Sequence, residues 1–490
     1  MSAALDGERR RWVALVVLCL GQLMIVLDAT IVNVALPSIQ HDLGFTQASL
    51  TWVVNAYLIA FGSFLLLAGR LGDLVGRKKV FLGGLALFTV ASALCGLAQD
   101  QGLLIAARFV QGIGGAVASS VIIAIIVTEF RERHEQARAM GVFTFVASAG
   151  GSIGLLAGGV LTHLLDWHWI FFINVPIGLA AIGLGLALIE ESEGAGLRQG
   201  VDVAGAVLIT LSGMLLVYGI VQTEGHGWGS AWTLAPGAAA VAMIGAFFAY
   251  EARIENPIMP PRVFALRSLM AANAVRGLLV VGMFSAFFLG ALYLEHVLGF
   301  SPVRTGLAFL PMTLAIGALS VAVTPRLLTR FGPKPTLLPG LVMAFAGLLL
   351  FARVPVEGDY WRDLFPAFLL LGLGAGTSFM PLITLAMSEV PKADAGLGSG
   401  LINTAQQMAA AIGVAALGTV AASRTADLLV GGDSQPAALT AGFHLSFAIA
   451  AGCVAGAIVL AVTVLRSPAG ESEAEEEIGV REELLADEMV

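Results

Sequence analysis

The chain has 490 residues, 58% of them hydrophobic before its 59 glycines are counted, and only 12% are charged, against about 25% in ordinary soluble domains. So little polar surface cannot coat a globule in water, which excludes a soluble protein and makes lipid the solvent for most of the chain. The net charge of −8 sits in residues 471–490, where nine acids face one base (Arg481); the rest is balanced at 25 acids and 25 bases, without the basic footprint of a nucleic-acid binder. Cys19, Cys95 and Cys453 all lie in apolar runs and read as small packing residues rather than a disulfide framework.

A bilayer core takes about 20 apolar residues per helix. Fourteen such runs follow in chain order: 12–35, 49–69, 80–98, 102–127, 138–161, 169–189, 203–223, 232–250, 269–294, 305–325, 336–353, 363–387, 399–421 and 441–465. The first is longer than the apolar stretch of a cleaved signal peptide and carries an acid, Asp28. Asp28 lies about 10 Å inside the slab at ~1.5 Å per residue. A charge there costs at least about 2.5 kcal/mol, which marks the carboxylate as a functional candidate; the alternative is a structural hydrogen bond to a neighbouring helix. A carboxylate moved between a dry and a charged environment can load and release a proton. Gln22, Thr30 and Asn33 project on other sides of the same helix, as expected of a segment surrounded by protein and cavity rather than lipid.

In the fourth run, Arg108 lies at a similar depth. Gln111, Gly112 and Gly115 follow it at three, four and seven residues and share its face, so another helix can come close to a buried cation. In the fifth, Gly150, Gly154 and Gly158, four residues apart, with Gly159 beside them, make a smooth groove for close packing and sliding. The ninth begins near Arg276, read as a snorkelling side chain. It ends on Glu295, either a second titrating or cation-attracting acid or a solvated interfacial one. The thirteenth holds Asn403, Thr404, Gln406 and Gln407, which suit hydrogen bonding to varied ligands and helix–helix hydrogen bonding equally.

An even number of spans puts both termini on one side. With both ends cytoplasmic, 20 of the 26 Lys and Arg fall in inner segments and four in outer ones, as the positive-inside rule requires. Trp12, Trp167, Trp169, Trp228, Trp232 and Trp361 fall near the expected interfaces, as an aromatic belt.

The loop after the second run reads GRLGDLVGRKKV (Gly69 to Val80), and a worn copy, PRLLTRFGPKPT (Pro325 to Thr336), follows the tenth. Aligning Gly76 with Gly332 also aligns Arg70 with Arg326 and Leu71 with Leu327. Each copy follows the second helix of a six-helix set. The expected organisation is therefore a bundle over 1–189, a linker region with two extra transmembrane helices over 190–268, a second bundle over 269–465 and an acidic cytoplasmic tail over 466–490. Paired halves around a central site are the repeat architecture of secondary transporters.

Four motifs carry a family resemblance that spans 12–465. They are Gly69-Arg70-Leu71-Gly72-Asp73-Leu74-Val75-Gly76-Arg77-Lys78-Lys79, with Leu74 where a base is usual; LDATIVNVALP around Asp28; LIAARFVQGIGG around Arg108; and GGSIGLLAGGVL (Gly150 to Leu161), with Leu155 where proline is usual. WHWIFFINVPIG (Trp167 to Gly178) and Gly398 to Thr419 are further echoes. The chain resembles the major facilitator superfamily, and within it the fourteen-helix drug:proton antiporter branch. That resemblance implies an all-α integral membrane fold of two pseudo-symmetric six-helix bundles plus two additional central helices. It also implies that Gly69, Asp73, Gly76 and Arg77 form a conformational latch and that Asp28 and Arg108, with Glu295 as a weaker candidate, couple protons. Gly150, Gly154, Gly158 and Gly159 mark an exporter rather than an uptake symporter, and Asn33, Gln111, Asn403 and Gln407 are candidates for the substrate cavity.

The expected function is proton-coupled export of hydrophobic or amphiphilic drugs or antibiotics, with export of an endogenous lipid or metabolite as the alternative. Neither a phosphate-binding G-x-x-x-x-G-K-[ST] loop nor an H-E-x-x-H metal motif occurs. The G-x-S-x-G at Gly150 to Gly154 sits inside a membrane helix and not at the strand-to-helix turn of a nucleophile elbow. No enzyme, cofactor or metal is expected. The partners are a small hydrophobic or cationic substrate, protons and the bilayer of the cytoplasmic membrane, and the chain is expected to act as a monomer.

Overall fold

The computed structural model of the chain describes residues 7–130, 132–191, 202–254, 257, 265–390 and 395–465, and every regular element among them is helical. The main helices are α1 Gly7–Leu43, α2 Gln47–Val75, α3 Arg77–Gly96, α4 Gln101–Glu129, α5 Arg133–Leu164, α6 Trp169–Leu188 and α7 Val203–Val221. They continue with α8 Ala231–Glu251, α9 Arg267–His296, α10 Pro302–Ala318, α11 Pro333–Phe351, α12 Tyr360–Met387, α13 Ala395–Val430 and α14 Gln435–Thr463. Each of the fourteen expected runs falls on one of them. Among the described residues, ten helices are long and apolar enough to cross a membrane by length and composition, and the protein is a multi-pass membrane protein. The acidic tail expected over 466–490 lies outside the described residues.

Local chemistry sets the helix ends. Thr46 and Ser49 form a reciprocal capping box at the start of α2, Asp100 accepts from the Leu103 N–H at the start of α4, and Ser301 with Pro302 opens α10. The turn between α2 and α3 passes through Gly76 at φ +109°, and the turn before α11 through Gly332 at φ +81°. Both conformations favour glycine, so the two repeat copies share a turn geometry as well as a spelling. With Leu155 where proline is usual, α5 runs unbroken to Leu164. α10 instead widens for one turn at Leu319–Val323, then continues over Thr324–Phe331.

Helices α1 to α6 pack on one another, as do α9 to α14, and two long seams join the groups. Along the first, α2 meets α13: Thr404 Oγ1 donates to the Gly62 carbonyl at 2.9 Å, and a Cβ on Gly418 would lie 2.9 Å from Thr51. Along the second, α5 meets α10: a Cβ on Gly159 would lie 2.5 Å from the Pro302 carbonyl, and one on Gly306 2.5 Å from that of Leu155. These approaches lie at mid-helix or toward the end of the bundle that carries the α1–α2 turn at Gly44.

The two extra helices are central in the chain but peripheral in space. α7 lies over the α2–α13 seam and α8 packs on α7; 17% of the apolar window of α8 is buried, against 72% for α9. Leu179, Leu186 and Val241 are at least 60% exposed, the outward apolar surface that lipid requires. Trp167 departs from the expected belt: it is buried and donates to Asp42 at 2.9 Å.

Candidate proton-coupling site

Asp28 on α1 is fully buried and does meet Arg108. Arg108 Nη1 lies 2.6 Å from Asp28 Oδ2 and also donates to Gln111 Oε1 at 2.8 Å. The Gln111 amide donates in turn to Asp28 Oδ1 at 2.8 Å, closing a ring across α1 and α4. The spacing of Arg108 and Gln111, one turn apart on one face, lets both reach the same carboxylate.

Groups from three further helices extend the ring. Asn174 on α6 donates to Asp28 Oδ1 at 2.9 Å and to Ser92 Oγ on α3 at 3.0 Å, and Ser92 donates to the Phe171 carbonyl at 2.8 Å. Arg108 Nε donates to the Val53 carbonyl of α2 at 2.9 Å, and its guanidinium carbon stands 4.4 Å from the centre of the Tyr57 ring. The carboxylate thus ties together α1, α4 and α6, Asn174 extends the network to α3 through Ser92, and Arg108 adds α2. A pair of opposite charges removed from water needs this many hydrogen bonds to offset desolvation. Asn174, Ser92 and Tyr57 were not among the sequence candidates; an amide inside the apolar sixth span was the available signal for Asn174.

The opposite flank of α1 rests on α5. A Cβ on Gly154 would lie 2.8 Å from the Leu27 carbonyl and crowd Thr30, and one on Gly158 would lie 2.6 Å from the Ile31 carbonyl; Gly150 faces Leu23 and Val26. Residues 27 to 31 of α1 are therefore held by a polar ring on one side and a smooth glycine track on the other. Gly159, on the same track, bears on α10.

The other candidates lie elsewhere. Asn33 donates to the Ala29 and Thr30 carbonyls of its own helix at 3.2 Å each. Gln407 packs against Gly62 on the α2–α13 seam, and Asn403 lies one turn earlier on α13. Glu295 is half-buried, one residue before the end of α9, with Oε1 lacking a hydrogen-bond partner among the described residues. Arg276 does not snorkel: it is 8% exposed and donates to Gln406. Around the α2–α3 turn, Arg77 Nη1 at the start of α3 donates to the Ala124 carbonyl of α4 at 3.3 Å, and Gly69, inside α2, faces open space; the side chain of Asp73 lies outside the described part of the structure.

Comparison with known proteins agrees with this architecture. Residues 18–414 match the family described as the Major Facilitator Superfamily. The chain is 38% identical over 462 residues to the puromycin resistance protein of Streptomyces alboniger, covering 94% of this chain and 92% of that one. It is 37% identical over 417 residues to the cephamycin export protein of Amycolatopsis lactamdurans, covering 84% and 85%. Its fold superposes on the POT family transporter PepTSo with a TM-score of 0.65 at 15% identity, over 91% of this chain and 98% of that one.

Proposed function

The chain belongs to the Major Facilitator Superfamily and is a secondary transporter rather than an enzyme; from that premise we propose that it exports hydrophobic or amphiphilic drugs in exchange for protons. Two relatives similar over most of their length are a resistance protein and an export protein for antibiotics, which supports efflux. In this reading the protein lies in the cytoplasmic membrane with both termini inside. Its two bundles span 1–189 and 269–465, and the seams toward Gly44 close the outer side.

The observation that carries proton coupling is how Arg108 is held. It has two acceptors besides Asp28, the Gln111 amide oxygen at 2.8 Å and the Val53 carbonyl at 2.9 Å. A proton on Asp28 removes its charge and its hold on α4, yet leaves the cation hydrogen-bonded. Stranding a buried partner outright costs about 3–5 kcal/mol, and the standby acceptors reduce that cost. Released from the ring, α1 can shift along the glycine track of α5, whose far side bears on α10 at Gly159. That chain of contacts links proton loading to the seam between the bundles.

The cycle follows. With the outer seams closed and Asp28 paired to Arg108, the carrier is proton-free and takes substrate from the cytoplasm or inner leaflet. Outward opening releases substrate and exposes Asp28 to external protons, and loading permits the return. Each proton contributes about 2.3 kcal/mol per 100 mV of membrane potential, enough to drive efflux without ATP. The test uses inverted vesicles energised to an acid lumen, with a pH-sensitive dye inside. Adding a transported dye or antibiotic should release luminal protons. Substrate uptake with no proton release would contradict antiport.

A further inference from the structure

The two groups of helices differ in how they neutralise their buried cations. Arg108 in the first is paired with Asp28. Arg276 on α9 is 8% exposed and has no carboxylate within ion-pair distance among the described residues. Its Nη2 donates to Gln406 of α13, and its guanidinium carbon stands 5.4 Å from the centre of the Phe379 ring on α12. Nε and Nη1 are buried and have no acceptor among the described residues, so each fork of the guanidinium keeps an open donor. One turn earlier on α9, Asn273 is 7% exposed with both amide atoms unpartnered among the described residues; three residues apart on a helix, the two side chains share a face.

A buried cation without a counter-charge is costly, and buried amides without partners add to the cost. Such groups persist where a ligand completes them. Guanidinium forks match carboxylate and phosphate geometry and hold them through paired hydrogen bonds. The flanking Phe379 ring offers an apolar wall for the body of the same molecule. Resting on the export reading above, we propose that Arg276, Asn273 and Gln406 form a subsite for the anionic head group, carboxylate or phosphate, of an amphiphilic substrate, with Phe379 against its apolar part. The substrates that seat best are then anionic or zwitterionic amphiphiles rather than simple lipophilic cations.

The test uses the full chain in phosphatidylcholine vesicles with dansyl-undecanoic acid and its primary amide, which share a body and differ in head-group charge. Wild type should bind the acid at least about tenfold more tightly than the amide. Arg276→Gln should bring that ratio to near one, and a cooperative thermal melt in detergent shows that the variant is folded. Arg276→Lys should keep part of the preference, since the charge stays and the fork is lost. Repeating the titration with phosphatidylglycerol in the bilayer identifies the source of the anion. Competition that vanishes in Arg276→Gln assigns the subsite to a lipid head group, and unchanged acid affinity assigns it to the free amphiphile. An acid-to-amide ratio near one in wild type, or one that Arg276→Gln leaves intact, overturns the subsite. Gradient-driven efflux of the amide by wild type checks the export reading separately, because the amide does not need the anion subsite.

Discussion

Asn174 and Gln111 donate to the same oxygen of Asp28, at 2.9 and 2.8 Å, from two different helices. The carboxylate is therefore a junction as well as one half of an ion pair. Whatever alters its charge loosens α6 and α4 from α1 together, and the helices that part are those that surround the first run of the chain.

Asn174→Ala should expose that junction. It deletes one donor to Asp28 and the link to Ser92, a loss of about 1.5–3 kcal/mol for a hydrogen bond to a charged acceptor. The variant should insert normally, melt at a lower temperature in detergent and transport several-fold more slowly. Wild-type melting together with wild-type efflux would show that α6 takes no part in holding the carboxylate.

The glycine track can be challenged at neighbouring positions. Gly154→Val drives a branched side chain into the Leu27 carbonyl, 2.8 Å from where its Cβ would stand, an overpacking of about 1–3 kcal/mol. Leu155→Val trims one methylene from a buried side chain and should cost roughly 1 kcal/mol. Efflux should fall about tenfold or more in the first and stay close to wild type in the second. Equal mild effects would mean that α1 does not move along α5.

The charged turn offers an internal control. Gly76 sits at φ +109°, so Gly76→Ala should cost about 1–3 kcal/mol, whereas Gly69→Ala meets nothing within 4 Å and removes a helix-weakening glycine. Thermal melts of the two variants should separate clearly, Gly76→Ala below wild type and Gly69→Ala at or above it. Identical melts would remove the conformational requirement at Gly76.

Much of this was legible in the sequence because it is local. Hydropathy places the apolar helices in order, and the spacing of Arg108 to Gln111 places both on one face. The glycines of α5 announce a close approach without naming its partner. What depends on the rotation and tilt of whole helices was not legible. Arg276 looks free to snorkel when only its distance from a helix end is known, but the packing of α9 between α12 and α13 turns it inward toward Gln406. Asn174 likewise reads as one amide in an apolar run until α6 brings it against α1. The extra helices are central in the chain and peripheral in space, because α7 lies over the seam between α2 and α13 rather than between the two groups.

The central claim is that Asp28 carries the proton whose movement drives efflux. Asp28→Asn keeps the shape and much of the hydrogen bonding of the ring but cannot exchange a proton near neutral pH. Asp28→Glu restores the acid with one extra methylene in a packed site. The direct measurement is efflux of a fluorescent substrate from vesicles under an imposed pH gradient, comparing wild type with both variants at equal protein. The account expects uphill transport in wild type, none in Asp28→Asn with substrate binding retained, and partial recovery in Asp28→Glu. Full gradient-driven efflux by Asp28→Asn would contradict it and make Glu295 the next carboxylate to test.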